Sequence, residues 1–271
     1  FKNDYKDIVT LIAKEIANWD RNDKRFPFLR YFSPWNGHSF AGGFGDGGGN
    51  GQESTSEAMQ SWGAMYLAGS IMENKPMRDA AIFGWVLESR ATAEYWFDRD
   101  RENIDYTKYT KPYNINLKSE GVGYWTWFSG QAVHCQGIQW MPMTSCLKYM
   151  SEDLDFVQWD YEEMERLMWE LDGRPSFDNL DDPNSLANDT GWGNVALSYR
   201  QLYDPDGVAA IIDNLYNHGK QMALPSNKDT EGITYFLTHS HRTYGNYRFD
   251  VRCDDPNSSV FYNQRENKTY Y

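Results

Sequence analysis

Hydrophobic residues recur every three to four positions in six segments of the chain, and this spacing predicts α-helices. The predicted helices span residues 4–19, 52–72, 76–97, 155–171, 194–202 and 205–218. Pro76 suits the first turn of the third helix, where a missing backbone N–H costs nothing. Successive helices favour helix-on-helix packing, so we predict a mainly α fold.

The apolar residues of these helices form stripes that we expect to face the core. The helix over 4–19 carries Ile8, Leu11, Ile12, Ile16 and Trp19. The helix over 52–72 carries Ala58, Met59, Trp62, Met65, Tyr66 and Leu67. The helix over 76–97 carries Ala80, Phe83, Gly84, Leu87, Ala91 and Tyr95. The helix over 205–218 carries Val208, Ile211, Ile212 and Leu215.

The composition of the segments between the helices predicts loops and short strands. Residues 22–51 contain two prolines and a run of glycines, and a loop of this length is usually functional. Residues 98–146 are rich in Tyr, Trp and Gly, which favours loops and short strands. Residues 232–271 predict a β-rich tail with a turn at 244–247. No linker is evident, so we predict one domain over 1–271 that includes this tail.

The composition restricts the partners that the chain can bind. A formal charge of -13 argues against nucleic acid and anionic membranes, whose phosphates need clustered Lys and Arg. A neutral ligand is compatible with this charge, and the 11 Trp and 19 Tyr residues suit packing against sugar rings as well as core filling. The three cysteines show no CxxC pair, and the histidines no HxxxH pair, so we expect neither a metal nor another cofactor.

Glu53 and Glu57 are the strongest candidates for chemistry. They lie four positions apart at the predicted start of a helix, directly after a glycine-rich loop, so we expect both on one helix face. Such pairs are also ordinary on exposed helix ends, where the helix dipole favours them. Glycosidic hydrolysis needs an acid and a second carboxylate on opposite sides of the sugar, so a third carboxylate from another segment is required.

Several other residues are candidates for the same site. Asp46 in the glycine-rich loop is an internal candidate for the acid or for sugar binding, although a turn is its simpler role. The segment 124–128 alternates in a strand-like way, which could put Tyr124, Thr126 and Phe128 on one face and Trp125 and Trp127 on the other. One face is a candidate sugar platform, and Trp62 could line the same groove.

The motifs around these residues resemble those of a known family. Asn36-Gly37-His38-Ser39-Phe40-Ala41, then Asp46, then Gln52-Glu53-Ser54-Thr55-Ser56-Glu57-Ala58 is similar to the active-site signature of glycoside hydrolase family 81, the endo-β-1,3-glucanases. The later segment 137–144, GIQWMPMT, also resembles that family. Phe40 stands where Trp is common in the family pattern.

The resemblance implies an (α/α)6 barrel-type domain and inverting hydrolysis of laminarin-type or curdlan-type β-1,3-glucan, with no cofactor. By position, Glu53 would be the general base and Glu57 would support the site. Asn36 and His38 would contact the glucan. The resemblance also implies a secreted, extracellular protein that acts on polysaccharide, while the oligomeric state stays open.

The family's general acid is an aspartate in a motif that precedes the GHS segment, and the chain contains no such motif. The chain starts inside an amphipathic helix, so we expect it to be the C-terminal part of a catalytic domain that is incomplete at its N-terminus. Two alternatives stay open: a non-catalytic β-1,3-glucan-binding module, and a helical-toroid hydrolase or lyase that acts on another polysaccharide.

Overall fold

The computed structural model describes residues 2–41, 51–118, 123–189, 191–219, 249–255, 258–263 and 268–270. These residues form α1 (Lys2–Ala17), α2 (Thr55–Ile71), α3 (Lys75–Ala91), α4 (Ala132–Gly137), α5 (Leu154–Asp172), α6 (Trp192–Arg200) and α7 (Pro205–Asn217). The strands are β1 (Phe32–Ser33), β2 (His38–Ser39), β3 (Gly51–Gln52), β4 (Leu117–Lys118), β5 (Phe249–Asp255), β6 (Ser258–Asn263) and β7 (Lys268–Tyr270). A π-helical turn covers Thr92–Trp96, and 3-10 helices cover Ser145–Glu152 and Leu186–Asn188.

The mainly helical fold is confirmed, and all six predicted helices are present. The third ends at Ala91 and continues as the π-helical turn, where the prediction had one helix to residue 97. The short helix α4 was not predicted, because six residues hold fewer than two turns of apolar spacing. The chain divides into two compact units, residues 1–141 and residues 142–271. The single domain over 1–271 stays a prediction.

In the first unit, α2 and α3 pack closely through small residues. A Cβ atom on Gly84 of α3 would lie 2.4 Å from the ring of Trp62, and one on Gly69 of α2 would lie 2.8 Å from the backbone nitrogen of Arg78. Because real side chains do not approach so closely, only glycine fits at these two contacts. The close approach buries the large indole of Trp62 between the two helices.

The buried faces of α1 and α3 differ from the predicted stripes. On α3 the buried residues are Met77, Ala81, Gly84, Glu88 and Ala91. The expected core residue Phe83 is 47% exposed, whereas the buried face carries a carboxyl group. On α1, Ile8, Leu11 and Ile12 are exposed, and the buried residues are Ala13, Lys14 and Ala17. Close packing between helices favours small residues at the contact. The prediction placed the largest apolar residues in the core, and for this reason it assigned the wrong buried face to both helices.

Short antiparallel pairs position the segments that flank α2. Strand β1 pairs with β2, with Phe32 opposite Ser39, and β3 pairs with β4. Gly37 adopts a positive φ of 77° and its N–H donates to the carbonyl of Ser33, which closes the turn between β1 and β2. This turn directs His38 and Ser39 into the strand that follows.

The second unit contains α5, α6, α7 and a three-stranded sheet. Asp153 caps α5 by accepting the N–H of Phe156, and Gly173 ends the helix in a left-handed conformation. Strands β5, β6 and β7 form an antiparallel sheet in that order, which agrees with the predicted β-containing tail. The predicted turn at 244–247 lies outside the described residues.

Candidate active site

A cavity of about 270 Å³ lies at the beginning of α2. Glu53, Glu57 and Ser61 line it from one segment, and Tyr31, Ser39, Phe40 and Ala41 line it from the region of β1 and β2. Trp127 contributes from the aromatic segment around residue 125. Among the described residues, Glu53 and Glu57 are the two acidic residues that line this cavity. The cavity thus joins the two motifs that the sequence analysis singled out.

Glu53 is buried, and its surroundings perturb its acidity. Only 6% of the residue is exposed, and its Oε2 accepts the backbone N–H of Trp127 at 2.5 Å. Burial raises the pKa of the Glu53 carboxyl above its ordinary value, and the negative charge of Glu57 raises it further, whereas the hydrogen bond from Trp127 opposes both. A carboxylate with a raised pKa is a stronger proton acceptor than a solvated one.

Glu53 lies before α2, not within its first turn as the sequence predicted. Ser54 is the N-cap, and the helix begins at Thr55. Glu57 lies in the first helical turn and is exposed. Both side chains still line the same cavity, although the four-residue helical spacing is not what brings them together.

Buried polar residues fix the backbone at Glu53. The hydroxyl groups of Ser54 and Ser56 donate to the carbonyl of Ile138 at 3.2 and 2.9 Å. The side chain of Gln139 accepts the N–H and the hydroxyl of Thr55, and its amide donates to the carbonyl of Glu53. Since buried polar groups need partners, these bonds specify one position for the segment.

Asn36 and His38 line a second cavity of about 380 Å³, together with Trp35, Tyr95 and Asn103. Strand β2 borders both cavities: His38 lines the second cavity, and the next residue, Ser39, lines the first. Trp35 is 95% exposed, which leaves both ring faces open to a ligand. The structure therefore does not place Asn36 and His38 in the cavity of Glu53.

The surroundings of His38 favour the neutral form of its imidazole. Burial lowers the pKa of the imidazole below its ordinary value, and the Nδ1 atom lies 2.9 Å from the carbonyl oxygen of Ser39. A carbonyl can only accept, so Nδ1 carries the proton and Nε2 is an acceptor. The ring packs edge-on against Phe40 and Trp96. A neutral ring with an acceptor nitrogen suits a hydroxyl ligand.

The aromatic candidates occupy different environments. Trp62 lines the Glu53 cavity, yet it is 1% exposed and its indole N–H donates to Glu88 at 2.7 Å, so it belongs to the wall. Tyr124 is buried and its hydroxyl donates to Gln136. Trp125 and Trp127 are about half exposed, and Trp127 lines the cavity. The predicted alternation in exposure holds from Tyr124 to Trp127 and is wrong at Phe128, which is 58% exposed. Residues 123–130 form bends and not a regular strand, so period-two alternation does not continue.

The remaining predictions concern Asp46, metal ions, membrane spans and the cysteines. Asp46 lies outside the described residues. In the described part of the chain, no group of three or more His, Cys, Asp or Glu side chains could hold a metal ion. No helix in these same ranges is long and apolar enough to cross a membrane. Cys135 and Cys146 are free thiols.

Sequence reasoning missed two residues that shape the site. Glu88 is fully buried on α3 and bonds Ser39 and Trp62, two cavity residues. Gln139 links Thr55 and Glu53 to a segment 84 or more residues away. The predicted stripe of α3 did not include Glu88, and Gln139 stood inside the GIQWMPMT motif without a stated role. A polar residue inside an apolar face is the signal that could have identified Glu88.

Comparison with known proteins agrees with these motifs. The model of the glycosyl hydrolase family 81 C-terminal domain matches residues 1–173. The chain is 33% identical over 264 residues to a glucan endo-1,3-beta-D-glucosidase of Acetivibrio thermocellus, which covers 97% of this chain and 31% of that protein. It is 26% identical over 259 residues to a protein of the same name from Thermobifida fusca, with coverage of 94% and 31%.

A solved structure shows the same similarity in three dimensions. A family 81 glycoside hydrolase from Clostridium thermocellum, determined as a glutamate-to-alanine mutant, matches with a TM-score of 0.71 and 32% identity. The match covers 96% of this chain and 33% of that protein, so the chain spans about a third of the length of its relatives. The motifs, the (α/α)-type helical fold and these matches agree, and the chain therefore belongs to glycoside hydrolase family 81.

Proposed function

We propose that the chain contributes the general base to an endo-β-1,3-glucanase that hydrolyses laminarin-type or curdlan-type glucan with inversion. Glu53 accepts a proton from a water molecule as that water attacks the anomeric carbon. The observation that carries this proposal is the buried Glu53 carboxyl in a cavity, with a raised pKa and one oxygen held by the N–H of Trp127. The names of the related proteins support the same substrate class.

The contrast between the two glutamates supports different roles for them. Glu53 is almost fully buried, whereas Glu57 is exposed at the edge of the same cavity. A base that must remove a proton from water benefits from a raised pKa, and burial supplies it for Glu53. The charge of Glu57 adds to this effect, so Glu57 supports the base without replacing it.

The acid of the reaction comes from another segment in this proposal. Glu53 and Glu57 enter the cavity from one end of α2, whereas an inverting enzyme needs its two carboxyl groups about 6.5 to 9.5 Å apart on opposite sides of the sugar. We assign the acid to an aspartate outside the described residues. The family resemblance implies an aspartate that precedes the GHS segment, and Asp46 is the candidate within the chain.

Sugar binding is assigned to residues of both cavities. The half-exposed indole of Trp127 offers an apolar face beside Glu53, which suits the C–H face of a glucose ring. Asn36 and His38 in the second cavity bind glucose units farther along the glucan. Because a glucan polymer cannot cross a membrane unaided, the proposal includes secretion of the protein.

Substitution of Glu53 by glutamine in the full-length gene product tests the assignment. Glutamine keeps the size of the side chain but cannot accept the proton, so laminarin hydrolysis should fall by at least about 100-fold. Binding of laminari-oligosaccharides, measured by calorimetry, should stay close to wild type. The matched control is Glu57→Gln, which removes a charge from the same cavity and should retain much more activity.

The outcomes separate the proposal from its alternatives. Near-normal turnover by Glu53→Gln would reject Glu53 as the base. Binding of oligosaccharides without hydrolysis by the full-length wild type would instead support a glucan-binding module. Hydrolysis of mannan or a uronic acid polymer, but not of laminarin, would support an enzyme for another polysaccharide. The anomer released, read by NMR at early times, tests inversion.

A further inference from the structure

Glu88 is a fully buried carboxyl group, and within the described ranges of the chain it bonds to three donor groups, all of them neutral. Its Oε1 accepts the backbone N–H of Ser39 at 2.8 Å, and its Oε2 accepts the hydroxyl of Ser39 at 2.6 Å and the indole N–H of Trp62 at 2.7 Å. A buried carboxylate without a cation is costly compared with an apolar residue of similar size. Packing alone therefore does not explain why a carboxyl group lies on the face of α3 that contacts α2.

We propose that Glu88 is a positioning residue for the Glu53 cavity, where it holds Ser39 and Trp62 in the arrangement that binds a glucose unit. This inference rests on the proposed function. Ser39 belongs to β2 and Trp62 to α2, and both line the cavity. The carboxyl group on α3 thus joins two walls of the cavity that are 23 residues apart in the chain.

The chemistry of the three bonds makes this arrangement specific. Backbone and indole N–H groups can only donate, so Glu88 must accept from both. An ionised carboxylate also accepts the hydroxyl proton of Ser39, which leaves the oxygen lone pairs of Ser39 for other donors. Such an acceptor suits a sugar hydroxyl. Glutamine at position 88 would bring an NH₂ group against at least one of these donors, and the arrangement would be lost.

The charge state of Glu88 gives this inference a spectroscopic signature. Burial raises the pKa of the Glu88 carboxyl to about 7, although the bonds from Ser39 and Trp62 oppose this rise. When Glu88 is protonated, its own hydroxyl must donate, and the Ser39 hydroxyl must turn to accept it. The indole N–H of Trp62 then bonds to a neutral group in place of an ion, and its NMR shift should change.

Few titratable groups on the neighbouring elements could mimic this signal. They are Glu53 just before α2, His38 on β2, Glu57 and Tyr66 on α2, and Glu94 and Tyr95 in the π-helical turn. Burial raises the pKa of Glu53, which lines the same cavity as Trp62, so a Trp62 signal that still titrates in Glu88→Gln would report Glu53. His38 is buried and its pKa is lowered, so it changes charge at lower pH than an ordinary histidine. Glu57, Tyr66, Glu94 and Tyr95 are exposed, and none of them contributes to the shifted pKa of Glu88.

The experiment compares wild type, Glu88→Gln and Asp160→Asn. Asp160 is a fully buried carboxyl group of α5 that accepts the hydroxyl of Tyr199, so its variant controls for the loss of a buried carboxylate. We expect Glu88→Gln to raise KM for laminarin and Kd for laminari-oligosaccharides at least about tenfold, with a smaller change in kcat. Asp160→Asn should leave both constants within about twofold of wild type.

A double-variant cycle distinguishes positioning from a general loss of stability. Ser39→Ala alone should weaken binding, and combined with Glu88→Gln it should weaken it little further, because both changes remove the bond from the Ser39 hydroxyl to the Glu88 carboxylate. Fully additive effects in a folded double variant, or an unchanged KM and Kd in folded Glu88→Gln, would overturn the inference.

The NMR titration keeps this test separate from the proposed function. The Trp62 indole N–H signal, assigned with a Trp62→Phe variant, should titrate near pH 7 in the wild-type chain and stay flat in Glu88→Gln. A wild-type signal that does not titrate would overturn the link between Glu88 and Trp62 even if Glu88→Gln fails to fold. Absence of laminarin hydrolysis by full-length wild type would overturn the proposed function and leave this titration interpretable.

Discussion

Replacing Glu88 by glutamine should remove a pH-dependent contribution to the free energy of unfolding. Burial raises the pKa of this carboxyl group from its ordinary 4.5 to about 7. Between these values the folded protein holds a proton that the unfolded chain has released. Stability from Glu88 is therefore fully present below pH 4.5 and is lost as the pH rises through about 7.

The size of this effect follows from the pKa change. Each pKa unit corresponds to about 1.4 kcal/mol, so a rise from 4.5 to about 7 corresponds to roughly 3 kcal/mol. Glutamine carries no titrating proton. The difference in unfolding free energy between wild type and Glu88→Gln should thus change by roughly 3 kcal/mol between pH 4 and pH 8, in the direction that favours wild type at low pH.

Urea unfolding at a series of pH values measures this difference. Following the Trp62 indole signal reports on the unit that contains Glu88. Other groups also change their pKa on folding: the raised pKa of Glu53 acts in the same direction, and the lowered pKa of His38 acts in the opposite one. Their contributions occur in both proteins and cancel in the difference. A difference that stays constant from pH 4 to pH 8 would refute the reasoning.

Two further predictions concern the cavity itself. Glu57→Gln removes a negative charge that raises the pKa of Glu53, so the acid limb of the kcat/KM profile for laminarin should move to lower pH; a shift to higher pH would contradict the assignment of Glu53 as base. Trp127→Ala removes the exposed indole but keeps the backbone N–H on Glu53, so KM should rise by about 2- to 12-fold with a smaller loss in kcat. Trp169 of α5, which is 65% exposed compared with 52% for Trp127, supplies the control variant Trp169→Ala, and equal effects of the two substitutions on KM would contradict the sugar platform at Trp127.

The sequence predicted the helices well because their apolar spacing is a local property. It predicted their buried faces less well, as α3 shows. Phe83 is large and apolar, yet it lies on the outer face, whereas Gly84 contacts the ring of Trp62. Which face of a helix packs most closely depends on the partner helix. Spacing within one helix contains no information about that partner.

The contacts that build the site were beyond sequence reasoning for a related reason. The bond from Trp127 to Glu53 joins residues 74 positions apart, and the bonds from Ser39 to Glu88 join residues 49 apart. Motif resemblance identified Glu53, and it included Ser39 without giving it a role. It did not reveal that a carboxyl group on α3 fixes one wall of the cavity, since only the folded chain brings these segments together.

The segment between the two glutamates explains how Glu53, the proposed base, is held in place. Ser54, Thr55 and Ser56 are all buried, and each bonds to Ile138 or Gln139. These short polar residues therefore serve as anchors and need not touch a sugar. Because their partners are fixed, the backbone at Glu53 cannot shift without leaving several buried polar groups unsatisfied. A base that must meet one water molecule at one distance requires this rigidity, and the residues that supply it are neither acids nor bases.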